Sequence, residues 1–246
     1  MRPYVNHYDL LYSDKPYEND IKVFNELNAI PNNGTTLLEF GAGTGRHSEL
    51  LLEQCKYLDI VEIDDDFIEK LSSRLNGITH FNIGRTVSDL GSPLKYDAAC
   101  AFFNVINYIE TKDELQIIFK NIAHYLKPKS RFLFDIWNGD AMLHSPPKEE
   151  TRVKQAENWK ATIKIVPDLN IITRYMTMKY QVELQFTDKD NENYNEELNL
   201  KAWLPTEIKT MLITSGFNRV DIVPTRDINS AIREDDWTLW FLATKL

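Results

Sequence analysis

Cysteine is nearly missing from this 246-residue chain: Cys55 and Cys100 are its only two, too few for a disulfide framework. They fall in a helical and a strand pattern, where a buried free thiol is the expected state. Long apolar runs are missing too. No stretch approaches the ~18 residues a membrane helix requires, and the start at Met1 carries no signal-peptide pattern, so a cytoplasmic location without membrane contact is expected. Basic charge is short: 28 Lys and Arg stand against 37 Asp and Glu, a net charge of -9. Polyanion binding needs a concentrated basic patch, so nucleic acid is disfavoured as a partner and a small-molecule substrate is favoured. Glycine is sparse as well, at 9 residues, yet three of them fall between positions 41 and 45.

Those three sit in Leu37-Leu38-Glu39-Phe40-Gly41-Ala42-Gly43-Thr44-Gly45-Arg46, an apolar run that breaks and resumes as His47-Ser48-Glu49-Leu50-Leu51-Leu52. The pattern predicts a strand, a tight turn and a helix, with glycines that let a ligand approach the backbone. A second apolar run, Leu58-Asp59-Ile60-Val61, ends on Glu62, 23 positions after Glu39. A carboxylate there can accept both hydroxyls of a ribose. The third glycine comes one residue earlier than in the dinucleotide fingerprint, and Glu39 would repel a pyrophosphate while favouring a cation. Asp64-Asp65-Asp66 reads as the cap of the next helix.

Further along, Thr79 to Ile83 reads as a third strand, Lys95 to Asn104 as a fourth, Lys112 to Leu126 as an amphipathic helix, and Arg131 to Trp137 as a fifth strand after a loop at Leu126 to Ser130. Alternating strands and helices specify a parallel sheet covered on both faces. From Trp159 to Leu204 the period drops to two. Strands are expected at Lys160 to Val166, Ile171 to Tyr180 and Glu183 to Phe186, with turns at Pro167 to Asn170 and Asp188 to Asn191. A helix from Leu204 to Gly216 and strands at Arg219 to Pro224 and Trp237 to Leu246 close the chain. The expected architecture is α/β, a Rossmann-like, seven-stranded, mostly parallel sheet with helices on both faces and an antiparallel β insertion after the fifth strand. It forms one domain: an N-terminal helical lid (1–33), a cofactor-binding core (34–138), the insertion (159–204) and a closing helix and strands (205–246).

Glu-x-Gly-x-Gly-x-Gly resembles motif I of the class I S-adenosylmethionine-dependent methyltransferases. Lys95 to Asn104 resembles that family's strand under the cofactor's methionine part, and Leu126-Lys127-Pro128 its turn before the fifth strand. Tyr8-Asp9-Leu10-Leu11-Tyr12, Lys15-Pro16-Tyr17 and Phe103-Asn104-Val105-Ile106-Asn107-Tyr108-Ile109 are similar to segments of the aminosugar N,N-dimethyltransferases, and the arrangement as a whole more distantly resembles glycine N-methyltransferase. In the last segment Asn107 replaces a small residue and is expected to narrow the pocket.

The resemblance implies S-adenosyl-L-methionine as cofactor and methyl transfer to a small amine, such as a nucleotide-linked aminosugar, by a monomer or homodimer. O- or C-methylation, or a silent binding protein of this fold, are the alternatives. Cofactor contacts are implied for Tyr12, Tyr17, Glu39, Gly41, Ala42, Gly43, Gly45, Arg46, Glu62, Ile63, Phe102 and Phe103. The family's adenine-binding Asp is replaced by Gly84-Arg85-Thr86-Val87, which leaves Thr86, Val87 or Asp89 for that end. Asn104, Tyr108, Asp135 and Trp137 are expected around the substrate, and Tyr12 is the candidate for catalysis. No metal cluster is evident.

Overall fold

The computed structural model describes residues 1–27, 34–93 and 95–246. Residues 28–33, the end of the expected N-terminal segment, and Leu94 lie outside the described residues. The chain opens with two single-turn helices, α1 (Pro3–Asn6) and α2 (Tyr8–Leu11), and a longer one, α3 (Tyr17–Glu26). Then β1 (Thr36–Phe40), α4 (Arg46–Leu52), β2 (Tyr57–Val61), α5 (Asp65–Arg74), β3 (Phe81–Gly84) and β4 (Tyr96–Ala101) alternate, and α6 (Lys112–Tyr125) leads into β5 (Leu126–Trp137). After α7 (Gly139–His144) come β6 (Glu150–Ala156), β7 (Trp159–Asn170), β8 (Tyr175–Phe186) and β9 (Glu192–Lys201); α8 (Pro205–Thr214), β10 (Phe217–Pro224) and β11 (Thr238–Lys245) close the chain.

Seven strands form one sheet in the order β10-β11-β5-β4-β1-β2-β3, in which β11 alone runs against its neighbours. Strand alternation sorts the core. Leu38, Ala99, Phe132, Phe134 and Phe241 face α6 and α8, while Leu37, Leu58, Cys100, Leu133 and Trp240 face α3, α4 and α5. Each fully buried Leu or Phe contributes about 1.5–3 kcal/mol by leaving water. The helices start on local signals: Asp64 Oδ1 accepts the N–H groups of Asp66 (3.0 Å) and Phe67 (3.3 Å), and Thr111 caps α6 through the N–H of Glu114 at 3.3 Å.

The insertion is a separate four-stranded antiparallel sheet, β6-β7-β8-β9. Ile163, Ile165, Met178, Val182 and Leu184 on its inner face pack with Tyr4, Val5 and Leu11 from the chain's start in a third core. Asn107 ties this sheet to the large one. Its Oδ1 accepts the N–H of Trp137 at 2.8 Å, and its Nδ2 donates to the C=O of Lys201 at 2.8 Å. That clamp is fully buried, so Asn107 does not narrow the cavity described below.

The structure differs from expectation in four places. β7 runs through Pro167 to Asn170, and the hairpin turns at Ile171 to Arg174, because Asn170 Oδ1 accepts the N–H groups of Ile172 and Thr173, both at 3.0 Å. Pro167 is tolerated because β7 has no partner on its β6 side beyond Ile165. β8 then runs unbroken through Gln181 and Val182. Leu126 to Ser130 belong to β5, where the register slips between Tyr96 opposite Leu126 and Ala98 opposite Arg131, with Lys129 at φ 68°. β6 begins the insertion at Glu150 rather than Trp159, and its largely exposed residues gave no alternation to read.

Candidate functional site

The strand order reverses between β1 and β4, and a cavity of about 840 Å³ opens there at the carboxyl ends of the strands. This lies in the upper part of the ~300–1,000 Å³ range of small-molecule sites and leaves room for two reactants. Its floor is the turn after β1, Glu62 after β2, and Phe102 to Asn104 after β4. Tyr4, Tyr8, Tyr12 and Tyr17 roof it, and Arg152, Ile165, Met178, Tyr180 and Glu196 of the insertion wall it.

The glycines of the turn have distinct roles. Gly41, Gly43 and Gly45 all have positive φ, at 77°, 56° and 83°. A Cβ on Gly43 would meet nothing within 4 Å, whereas one on Gly45 would meet Leu71 Cδ1 at 2.5 Å. Gly43 therefore leaves its space to a ligand, and Gly45 lets α4 pack against α5. Glu62 locks the turn: its Oε2 accepts the N–H of Gly43 at 2.8 Å, and its Oε1 accepts those of Ile63 (2.8 Å) and Asp64 (3.1 Å). Burial raises the Glu62 carboxyl above its usual range, and the three N–H groups oppose that rise.

After β4 the backbone is strained. Phe103 and Asn104 take φ values of 71° and 60°, a conformation that side-chain-bearing residues adopt at a cost of about 1–3 kcal/mol each. Asp135 of β5 holds them there, its Oδ1 accepting the N–H of Phe103 at 2.6 Å and its Oδ2 that of Asn104 at 3.1 Å.

The N-terminal segment is tied down over this floor. Thr44 Oγ1 donates to Asp9 at 2.7 Å, and Arg74 also pairs with Asp9. Asp20 receives Lys15 at 2.7 Å and His47 Nε2 at 2.8 Å. Arg2 pairs with Asp64, the cap of α5, with Asp66 in its first turn and, at 3.4 Å, with Glu196 on β9. Inside, Tyr12 stands edge-on to Phe103 at 5.1 Å, and its hydroxyl lies 3.2 Å from that of Tyr4. Burial pushes the Tyr4, Tyr8 and Tyr12 phenols well above their usual value, and Tyr17, its buried hydroxyl without a partner among the described residues, up to about 12. Burial also lowers His47, against the pull of Asp20.

Of the residues expected from sequence, the cavity brings together Tyr12, Tyr17, Gly41, Ala42, Gly43, Arg46, Glu62, Ile63, Phe102, Phe103, Asn104, Tyr108 and Trp137. Six others do not line it. Gly45 packs against Leu71, as above. Glu39 is fully buried beneath the turn and accepts the Ser48 hydroxyl at 2.5 Å. Val87 lies in the core, and Thr86 closes a capping box with Asp89, whose Oδ2 accepts the Thr86 N–H at 2.7 Å, so neither Thr86 nor Asp89 turns toward the cavity. Asp135 works from below through the backbone of Phe103 and Asn104. Tyr4, Tyr8, Tyr180 and Arg152 were missed. Tyr4, Tyr8 and Tyr12 recur every four residues, a spacing that was readable in the sequence.

Two carboxyls outside the cavity set an expected pH dependence. Burial pushes both Glu39 and Asp135 up to about 7, Glu39 further raised by Glu62 and Asp135 by Asp20. A folded carboxyl that holds its proton more tightly than the unfolded chain stabilises the fold below the unfolded value, 4.5 for Glu39 and 3.8 for Asp135, and this stabilisation is lost as pH rises toward 7. The melting temperature is therefore expected to fall between pH 5 and pH 8, and Glu39→Gln to flatten that slope. A wild-type stability rising over this interval would contradict the burial of both groups.

Residues 38–132 match the model of a family described as a methyltransferase domain. No curated protein sequence matches the chain. Solved structures do. DesVI of Streptomyces venezuelae is 16% identical with a TM-score of 0.80, covering 100% of both chains. An S-adenosylmethionine-dependent methyltransferase of Clostridium acetobutylicum ATCC 824 is 18% identical with a TM-score of 0.77, covering 97% of this chain and 96% of its own. CalS10 of Micromonospora echinaspora, an amino pentose methyltransferase whose structure holds the cofactor, is 15% identical with a TM-score of 0.75, covering 100% and 98%. The chain has the class I methyltransferase fold expected from its motifs, with the antiparallel insertion after the fifth strand. No helix among the described residues is long and apolar enough to cross a membrane.

Proposed function

We propose that this protein transfers a methyl group from S-adenosylmethionine to the nitrogen of a small amine, an aminosugar carried on a nucleotide being the favoured acceptor. The observation that carries the reading is a single cavity joining an open glycine turn and a buried ribose-height carboxylate to a second compartment of tyrosines and insertion strands. Gly41 to Gly43 would hold the methionine portion with Arg46 at its carboxylate, Glu62 the ribose hydroxyls, and the exposed Ile63 side chain one face of the adenine. Tyr12 and Tyr17 would face the sulfonium, whose charge an aromatic face or phenol oxygen favours. The likeness to an amino pentose methyltransferase supports the acceptor class. The charge of -9 supports a small acceptor rather than nucleic acid, and a cytoplasmic monomer or homodimer completes the reading.

The bound cofactor supplies an electrophilic methyl carbon. The chain's own residues align an acceptor with it, and alignment alone can supply on the order of 7–11 kcal/mol of a barrier. The cavity's phenols stay protonated, so Tyr12 contributes as a hydrogen-bonding phenol rather than as a phenolate. This favours a neutral amine, which attacks without prior loss of a proton, over a hydroxyl, which needs a stronger base.

S-Adenosylmethionine, S-adenosylhomocysteine and sinefungin are each expected to raise the melting temperature by mass action, and NAD to leave it unchanged. S-Adenosylhomocysteine release is then expected from a panel of nucleoside-diphosphate-linked amino-deoxyhexoses, glucosamine and glycine. Absence of any shift at millimolar ligand would overturn the reading.

A further inference from the structure

Glu196 is out of keeping with its place on β9. Tyr194, Glu196, Leu198 and Leu200 alternate onto the inner face of that strand, and Glu196 stands directly across from Tyr180 of β8. Its side chain is only 13% exposed, and it lines the cavity together with Tyr180 and Tyr108. A carboxylate withdrawn from water among such side chains is costly unless a partner compensates it. Its partner in the structure is Arg2, whose Nη1 reaches Oε1 at 3.4 Å while the other guanidinium nitrogens serve Asp64 and Asp66. Oε2 has no hydrogen-bond partner among the described residues, and it is not sealed from solvent. The other carboxylates of the cavity differ from it. Glu62 and Asp64 are spent on backbone N–H groups, Asp14 pairs with Lys154, and Glu110 and Glu197 are exposed.

We infer that Glu196 receives the acceptor's amino group, its free oxygen pairing with the ammonium form and taking one proton from it before the methyl is transferred. This rests on the N-methyltransferase reading and adds to it the group that prepares the nucleophile. An aliphatic amine at neutral pH is mostly ammonium, which has no lone pair to attack with. The groups that face the carboxylate are Tyr108 after β4, Tyr180 of β8, Tyr194 of its own strand, Arg2 before α1 and Asp64 at the cap of α5. The phenol rings favour a cation beside them. Burial raises the Glu196 carboxyl, Arg2 opposes that rise and Asp64 adds to it, so Glu196 is a better proton acceptor than an exposed glutamate. In the transfer Glu196 takes one ammonium proton, and the nitrogen lone pair so freed forms the new C–N bond. The C–S pair returns to sulfur and leaves a neutral thioether. The methylated product keeps its remaining protons and its charge, and Glu196 passes the proton it took to water in the cavity.

The test follows kcat/KM against pH, from about 6.5 to 9, for the amine that releases most S-adenosylhomocysteine in the panel above. Wild type is compared with Glu196→Gln, which keeps an oxygen for Arg2 and removes the base. The wild-type value is expected to change by less than about threefold below the amine's own pKa, because the ammonium is the species it uses. Glu196→Gln depends on the neutral amine from solution, so its kcat/KM is expected to lie about 100-fold below wild type at pH 7 and to climb toward it as the amine loses its proton. A merely structural role would lower the rate by one factor at every pH. The Kd for S-adenosylhomocysteine is expected to stay within about threefold by calorimetry, and Glu196→Asp, a shorter carboxylate, to recover part of the rate. A wild-type kcat/KM that rises in proportion to the neutral amine would overturn the assignment whether or not the variants fold, and so would a deficit in Glu196→Gln that is absent or independent of pH. Either result leaves the N-methyltransferase reading standing. Equal losses of cofactor affinity and turnover would overturn the assignment in favour of a place over the cofactor. A wild-type protein that binds S-adenosylhomocysteine but releases none from any amine would instead remove the N-methyltransferase reading, and this assignment with it.

Discussion

Replacing Asp135 by alanine is expected to lower the folding free energy by about 2–6 kcal/mol, because two buried N–H groups lose their acceptor and each such loss costs about 1–3 kcal/mol. Those N–H groups belong to Phe103 and Asn104, whose left-handed backbone the carboxylate alone spans, one oxygen to each. Without it the turn is free to relax, and Phe103 leaves its contact with Tyr12. Asp135→Asn separates strain from charge: its amide oxygen serves one N–H and its NH2 opposes the other, so about half of the loss is expected. Urea unfolding measures the stability, and turnover is expected to fall further than sinefungin affinity, which a merely structural defect would lower in parallel. An alanine variant as stable as wild type would show that the turn is held by something other than this carboxylate.

The contrast between Gly43 and Asp135 shows what could be read from the residues alone. The glycine turn, α4 and Glu62 lie within 24 residues of one another, and a local apolar pattern specifies each, so the strand, turn and helix came out of the spacing. The Asp135 contact needs β4 and β5 in register across 31 and 32 residues, which no local pattern encodes. Glu39 illustrates the same limit. Its place in motif I suggested a ligand contact, while the pleat of β1 turns its side chain toward Ser48 and away from the cavity. β8 was visible because its inward residues are apolar and its outward ones polar, whereas in β6 nearly every residue is exposed. The hairpin between β7 and β8 was displaced because Pro167 and Asp168 look like a turn, but the side chain of Asn170 makes the bend four residues on.

For Glu62→Ala the expected outcome is a loss of S-adenosylmethionine affinity of about 10- to 150-fold, equivalent to the 1.5–3 kcal/mol of hydrogen bonds to a charged group. Stability should fall as well, which the sequence did not suggest, since the carboxylate also gathers the N–H groups of Gly43, Ile63 and Asp64. Water reaching the cavity can satisfy part of that set, so the stability loss should be smaller than for Asp135→Ala. Asp64→Ala provides the control. Asp64 caps α5 and pairs with Arg2, so its removal should cost about 1 kcal/mol of stability with little change in cofactor affinity. Calorimetry with S-adenosylmethionine and thermal unfolding on both variants separate the two. If Asp64→Ala lost affinity and Glu62→Ala kept it, the ribose ligand would lie two residues further along, at the cap of α5, and the turn held by Glu62 would be purely structural.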